Sequence, residues 1–299
     1  DLHSLRRRQR QMCIRDRAST IQHSYYYISK NLAQIAKTMI EENPEKAKQI
    51  LRKAINTAKK IEDNLYKAWR LEEVAEIIKK LVKMSPEKER QIIEEAIQAT
   101  KTIWKEHYMV KILTKIAEML IPINPEKARQ IIEEAIQATK TIWRIHNRAE
   151  ALIAIAETLI PINPEKAKKI INETTELARI IWWAPKKIEV WAKIAKTLIK
   201  IDAEMARQII EEAIKTAKTI KIDEDLTARD TVFALIAIAK TLIKMDAEMA
   251  RQIIEDAIKT AKTIEADDYY RAEVLIAIAK TLIKMDAEMA RQIIEEAIK

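Results

Sequence analysis

The fold class predicted is all-α: an α-solenoid of about seven stacked helical hairpins, some fourteen helices in 299 residues. Three observations predict it. The chain contains no glycine. A helix-start triplet recurs at intervals of 39 to 44 residues. Apolar residues on both sides of each triplet follow the period of an amphipathic helix. The missing glycine also excludes chemistry, because phosphate loops, dinucleotide fingerprints, nucleophile elbows and calcium loops use backbone conformations that glycine adopts without strain. With 48% hydrophobic and 33% charged residues, the chain can bury a large core. No window approaches the roughly 18 uninterrupted apolar residues of a membrane helix, so neither disorder nor a membrane span is expected.

Residues 1–17, DLHSLRRRQRQMCIRDR, share no period with the rest. Arg7 to Arg17 resembles one translated frame of a transposase sequencing adapter, Asp1-Leu2-His3 resembles its flanking primer, and Ser4-Leu5-Arg6 between them fits an index. The resemblance implies a non-native tail, disordered or continuing the first helix. A disordered basic tail or a targeting peptide is the other reading, although the amphipathic helix of a transit peptide is lacking. The segment holds six Arg and two Asp, so only about +5 of the formal +9 belongs to residues 18–299. The one cysteine, Cys13, leaves with the tail and says nothing about redox compartment. The compartment expected is cytoplasmic.

Residues 18–299 read as one repeat domain. Its helix starts are Asn43-Pro44-Glu45, Ser85-Pro86-Glu87, Asn124-Pro125-Glu126, Asn163-Pro164-Glu165, Asp202-Ala203-Glu204, Asp246-Ala247-Glu248 and Asp286-Ala287-Glu288. Asn, Ser or Asp supplies a capping oxygen, Pro tolerates the first helical position, and Glu meets the positive end of the helix dipole. Each start follows one helix and opens another, giving repeats over about 20–62, 64–104, 106–143, 147–183, 186–220, 226–264 and 267–299.

The first helix of the fourth repeat carries Leu152, Ile155, Ala156, Leu159 and Ile160 on one face. The fifth repeats them as Trp191, Ile194, Ala195, Leu198 and Ile199, and the seventh as Leu275, Ile278, Ala279, Leu282 and Ile283. The second helix of the third repeat shows Ala128, Ile131, Ile132, Ala135, Ile136, Thr139, Ile142 and Trp143, a single buried face. Leu275 to Glu295 copies Leu235 to Glu255, which makes duplication visible within the chain. The last repeat stops at Lys299, thirteen residues into its second helix. No polar capping helix follows, so a fragment of a longer protein is expected.

These hairpins resemble tetratricopeptide repeats. Trp191, Ile194, Ala195 and Leu198 match the large, large, small, large pattern of that family's first helix, and Ala128, Ile132 and Ala135 match its second. Departures are a period near 39 rather than 34, no terminal Pro, and a longer connection after the second helix. HEAT-type repeats of about 40–47 residues compete for the name. Both resemblances imply a right-handed or gently curved superhelix with a concave groove.

Catalytic arrangements are absent from the sequence pattern. His107 and His146 lie 39 residues apart at one repeat position, roughly 8–10 Å from each other if adjacent helices carry them. That is too far to share a metal, so packed structural histidines are expected and no metal or other cofactor. Carboxylates such as Glu133 and Glu134 sit beside Lys140 on solvated faces, a zwitterionic surface rather than an acid–base dyad. The chain is therefore not expected to be an enzyme. Trp104, Trp143 and Trp182 recur at 39-residue spacing and are expected to pack in the core at the end of a lengthened second helix. An exposed aromatic ridge that anchors a partner is the alternative.

Charge offers the partner hypothesis. Outward positions of the first helices read Lys193, Lys196 and Lys200, then Lys240 and Lys244, then Lys280 and Lys284, a two-row lysine ladder in the C-terminal half. The favoured function is non-catalytic protein or peptide binding, with acidic segments as the preferred chemistry. A merely soluble lysine-rich surface is the plain alternative. A nucleic-acid-binding helical repeat is the runner-up, disfavoured because no Arg or aromatic interleaves with the lysines. A structural repeat region of a larger multidomain protein is the third reading.

Overall fold

The computed structural model describes residues 2–84, 89–220, 225–243, 245–264, 268–283 and 285–298. Among these there are fourteen α-helices and no strand. They are α1 (Leu2–Met39), α2 (Pro44–Lys59), α3 (Asn64–Met84), α4 (Arg90–Thr100), α5 (Glu106–Leu120), α6 (Pro125–Thr139), α7 (Ile145–Leu159), α8 (Pro164–Arg179), α9 (Ala184–Leu198), α10 (Ala203–Lys218), α11 (Asp225–Leu242), α12 (Ala247–Ala261), α13 (Asp268–Leu282) and α14 (Ala287–Ile298). Each odd-numbered helix folds back on the next as a hairpin, so the fold is the all-helical tandem repeat that the triplets predict.

The chain divides into two compact units, residues 1–142 and 143–299. The boundary falls within the span 18–299 that the sequence reads as one repeat domain, between its third and fourth repeats. In the first unit α1, α3 and α5 pack in succession, and α2 packs against α3 and α4. In the second, α7, α9, α11 and α13 pack in succession, with α8 against α9, α10 against α11 and α12 against α13.

One residue per hairpin makes both the turn and the cap. The Asn124 amide donates to the Leu120 carbonyl at 2.7 Å, closing α5, while its side-chain oxygen accepts from the Lys127 amide at 3.0 Å, opening α6. Asn43, Asn163, Asp202, Asp246 and Asp286 do the same, with the side-chain bond at 2.9 to 3.0 Å in every case. Ser85 lies outside the described residues. The cap backbone is extended, φ −148° at Asn124 and −154° at Asp202. No residue with positive φ occurs among the described residues, which is how these turns form without glycine.

Behind each of these caps a small residue is buried: Ala47, Ala128, Ala167, Ala206, Ala250 and Ala290, none more than 2% exposed. Their size lets the backbones approach, and isoleucines are fully buried in both units: Ile92 and Ile116 in the first, Ile155 and Ile194 in the second.

The tryptophans correct the sequence expectation. Trp104, Trp143 and Trp182 are 83%, 80% and 87% exposed, not packed in the core. The preceding helices stop earlier than the apolar period suggests, at Thr100, Thr139 and Arg179. A tight turn then points the isoleucine inward, with Ile103, Ile142 and Ile181 donating to Thr100, Thr139 and Ala178 carbonyls at 3.0, 3.2 and 3.1 Å. Those isoleucines are buried, and each tryptophan, one residue on, is turned out to solvent just before the next helix.

Candidate functional site

The second unit contains a groove of about 500 Å³ between α9 and α11. Lys186, Glu189 and Lys193 project from α9 at intervals of three and four residues, a single helical face. Asp230, Phe233, Ala237 and Lys240 project from α11 in the same way, and Trp183 and Pro185 close the end where α9 begins. Pro185 sits in the first turn of α9, where its missing amide costs no hydrogen bond.

One contact joins the two walls, and Arg229 ties α11 to α13 behind them. Thr241 Oγ1 donates at 3.0 Å to the Ala237 carbonyl on its own helix, and stands 3.3 Å from the Ala192 carbonyl on α9. On the other side of α11, Arg229 Nε pairs with Glu273 Oε2 of α13 at 2.7 Å. The Arg229 guanidinium also lies over the rings of Phe233 and Tyr270, 5.5 and 5.1 Å from their centroids, which fixes the aromatic wall of the groove.

Four charges form a closed network along one rim. Lys193 Nζ lies 2.7 Å from Glu150 Oε1 on α7 and 2.8 Å from Glu189 Oε1, and Lys186 Nζ lies 2.9 Å from Glu150 and 2.8 Å from Glu189. Burial pushes both carboxyls up, but the two ammonium groups outweigh it, so Glu150 and Glu189 are held below the usual carboxylate range. Burial likewise pulls Lys186 and Lys193 down, and the carboxylates more than reverse it.

The predicted ladder is therefore sorted into two kinds of lysine. Lys193 is neutralised in the network. Lys196, Lys240 and Lys280 occupy one register of α9, α11 and α13, three helices packed in succession, and all are exposed. Lys200, in the turn after α9, is exposed too. None of these four has an ion pair among the described residues. Lys244 and Lys284 lie outside those residues.

His107 and His146 are half-buried. Burial and the nearby Lys186 lower the His146 pKa, with Glu150 opposing. No group of three or more His, Cys, Asp or Glu side chains is placed to hold a metal among the described residues. No helix among them is long and apolar enough to cross a membrane. The groove residues Lys186, Glu189 and Phe233 escaped the sequence reading. Phe233 carried a signal, being the only phenylalanine of the chain.

Fold and groove together define a helical tandem repeat protein that presents a mixed, lysine-edged groove. No family model matches the sequence, and no curated protein does. Among solved structures, the chain is similar to a circular tandem repeat protein with a novel repeat topology and enhanced subunit contact surfaces. That alignment has 16% identity over 98% of this chain and 87% of the other, with a TM-score of 0.34. It is also similar to Ton1535 from Thermococcus onnurineus NA1, with 14% identity over 96% of this chain and 93% of the other and a TM-score of 0.31. Both likenesses are loose, and the repeat architecture is read from the hairpins themselves.

Proposed function

We propose that the chain is a non-catalytic, tetratricopeptide-like peptide-binding scaffold whose second unit takes an extended acidic segment across α9, α11 and α13. The observation that carries this reading is the row Lys196, Lys240 and Lys280, exposed in one register of three helices packed in succession, with Lys240 lining the groove. Exposed charge pairs are worth about 1 kcal/mol or less each, so three lysines give steering and selectivity more than affinity. Affinity needs an apolar anchor, and Trp183 with Phe233 supplies an aromatic wall for one. The occupant that fits is a short segment rich in Asp and Glu with one apolar side chain.

The test is fluorescence anisotropy of a labelled Glu- and Asp-rich peptide containing a single leucine, titrated with the full chain at low salt. Binding is expected to weaken as salt rises, and the triple variant K196E/K240E/K280E is expected to lose at least about tenfold in affinity. Unchanged capture by that variant overturns the proposal. Equal capture of single-stranded DNA, lost with the same substitutions, would replace it with a phosphate-binding reading.

A further inference from the structure

Three connections between hairpins end on a buried isoleucine followed by an exposed tryptophan: Ile103-Trp104, Ile142-Trp143 and Ile181-Trp182. The first lies between α4 and α5 of the first unit and the last between α8 and α9 of the second. The fold does not need an aromatic ring at this position. Ile61 is buried like Ile103, and the residue after it is exposed Glu62. In the later repeats the sequence has Lys221 after Ile220 and Glu265 after Ile264. A charged side chain therefore serves the turn equally well, and the three tryptophans stand in water without a role in packing.

The backbone holds each ring outward, and the charge around it has one sign. In the first unit the Trp104 amide donates to Asn64 Oδ1 at 2.7 Å. In the second, Ile180 is 62% exposed two residues before Trp182, and the Trp182 and Trp183 rings lie 5.7 Å apart. No Asp or Glu occurs in residues 101–105, 140–144 or 179–187. Lys101, Arg179 and Lys186 are held by carboxylates from outside these segments or from the groove rim. Lys105, Lys140 and Arg144 are exposed and Lys187 is half-buried, and none of these four has an ion pair among the described residues. The Arg144 guanidinium lies 4.7 Å from the centroid of the Trp143 ring.

We infer that Trp104, Trp143 and Trp182, with the cations beside them, dock the chain on the surface of an anionic lipid bilayer by shallow insertion of the rings. An indole has an apolar body and a polar N–H, which suits the boundary between acyl chains and headgroups. A cation one to three residues away meets the negative headgroups there, and no carboxylate in the same segment opposes it. A protein partner would gather its aromatic anchors into one desolvated patch, whereas these recur once per repeat, each with its own cation. Trp104 serves the first unit and Trp182 the second, so either unit can dock by itself.

Flotation of the full chain with vesicles of phosphatidylcholine and phosphatidylglycerol in equal parts tests this, against vesicles of phosphatidylcholine alone. Binding to the mixed vesicles is expected, weakening as salt rises, with little binding to the neutral ones. Trp104→Gln, Trp143→Gln and Trp182→Gln combined keep every cation and should reduce binding at least about tenfold. All three positions are exposed, so helicity by circular dichroism is expected to stay unchanged. Lys196→Gln, Lys240→Gln and Lys280→Gln combined should keep most of the binding, which separates the tryptophans from the lysine row. Lipids brominated on their acyl chains should quench the tryptophan emission of the wild type more than that of the tryptophan variant. A chain that does not float with the mixed vesicles overturns the inference. So does full binding by the tryptophan variant, loss of binding by the lysine variant, or flotation without quenching.

Discussion

Lys193 Nζ lies 2.7 Å from Glu150 Oε1, joining α9 to α7, and this pair removes from the lysine ladder the residue that begins it. The surface charge pattern of a repeat protein is set by which neighbours face each other across helices, not by the outward positions of one helix. Two lysines and two glutamates at that rim cancel, and the row that stays open runs through Lys196, Lys240 and Lys280.

Releasing Lys193 should therefore strengthen capture of acidic segments. Glu189→Gln removes one carboxylate from the groove wall while Glu150 still holds the network. Affinity for an acidic peptide is expected to rise about two- to fivefold at low salt, the scale of one partly screened charge, and the gain should vanish at high salt. A fall in affinity, read by the same anisotropy titration, would mean that Glu189 contacts the ligand favourably.

Stability should fall at both ends of the pH range, and Glu150→Gln should flatten both limbs. Glu150 and Glu189 titrate below their ordinary value of 4.5 in the folded chain, so their contribution is present above that value and is lost as pH falls through the lower folded one. Lys186 and Lys193 titrate above 10.5, so theirs is present below that value and is lost as pH rises through the higher folded one. At neutral pH the substitution is expected to cost about 1 kcal/mol, since all four groups are partly solvated. Urea melts at several pH values measure this.

His146 provides a local reporter of the same network. Burial and Lys186 hold its midpoint below 6.5, and Glu150 opposes them. Glu150→Gln should lower the midpoint further, read from imidazole proton shifts. The neutral imidazole contributes stability above 6.5 that is lost as pH falls through the lower folded value. An unchanged midpoint in the variant would place Glu150 outside the field of His146.

At the hairpin connection, Ile181 and Trp182 should behave oppositely. Ile181 is buried and its replacement by Ala is expected to cost about 2–4 kcal/mol. Trp182, the larger side chain, is turned to solvent, and Trp182→Ala should change stability by no more than about 0.5 kcal/mol. Denaturant midpoints of the two variants decide between this arrangement and a buried tryptophan. The Asn124→Ala cap variant is expected to lie between them, at about 1 kcal/mol.

What the sequence disclosed and what it withheld follow one division. Caps, turns and helix faces are local, so Asn124, Pro125 and Ala128 announce a helix start wherever they stand, and the hairpins were legible from them. Trp143 was misread because an apolar period does not say where a helix stops. The turn after Thr139 lets Ile142 take the buried position instead. The groove was invisible for a different reason. Lys193, Glu150 and Phe233 stand on three different helices, and only the packing of α7, α9 and α11 brings their positions to one rim.

A reciprocal charge swap tests the proposed binding surface most directly. Wild type and K196E/K240E/K280E are titrated at low salt with an acidic peptide and with its Lys-for-Glu counterpart. The wild type is expected to bind the acidic peptide alone and the variant the basic one alone, because three exposed side chains in one register set the sign of the surface. If the variant keeps its grip on the acidic peptide, the row on α9, α11 and α13 is not where that peptide binds.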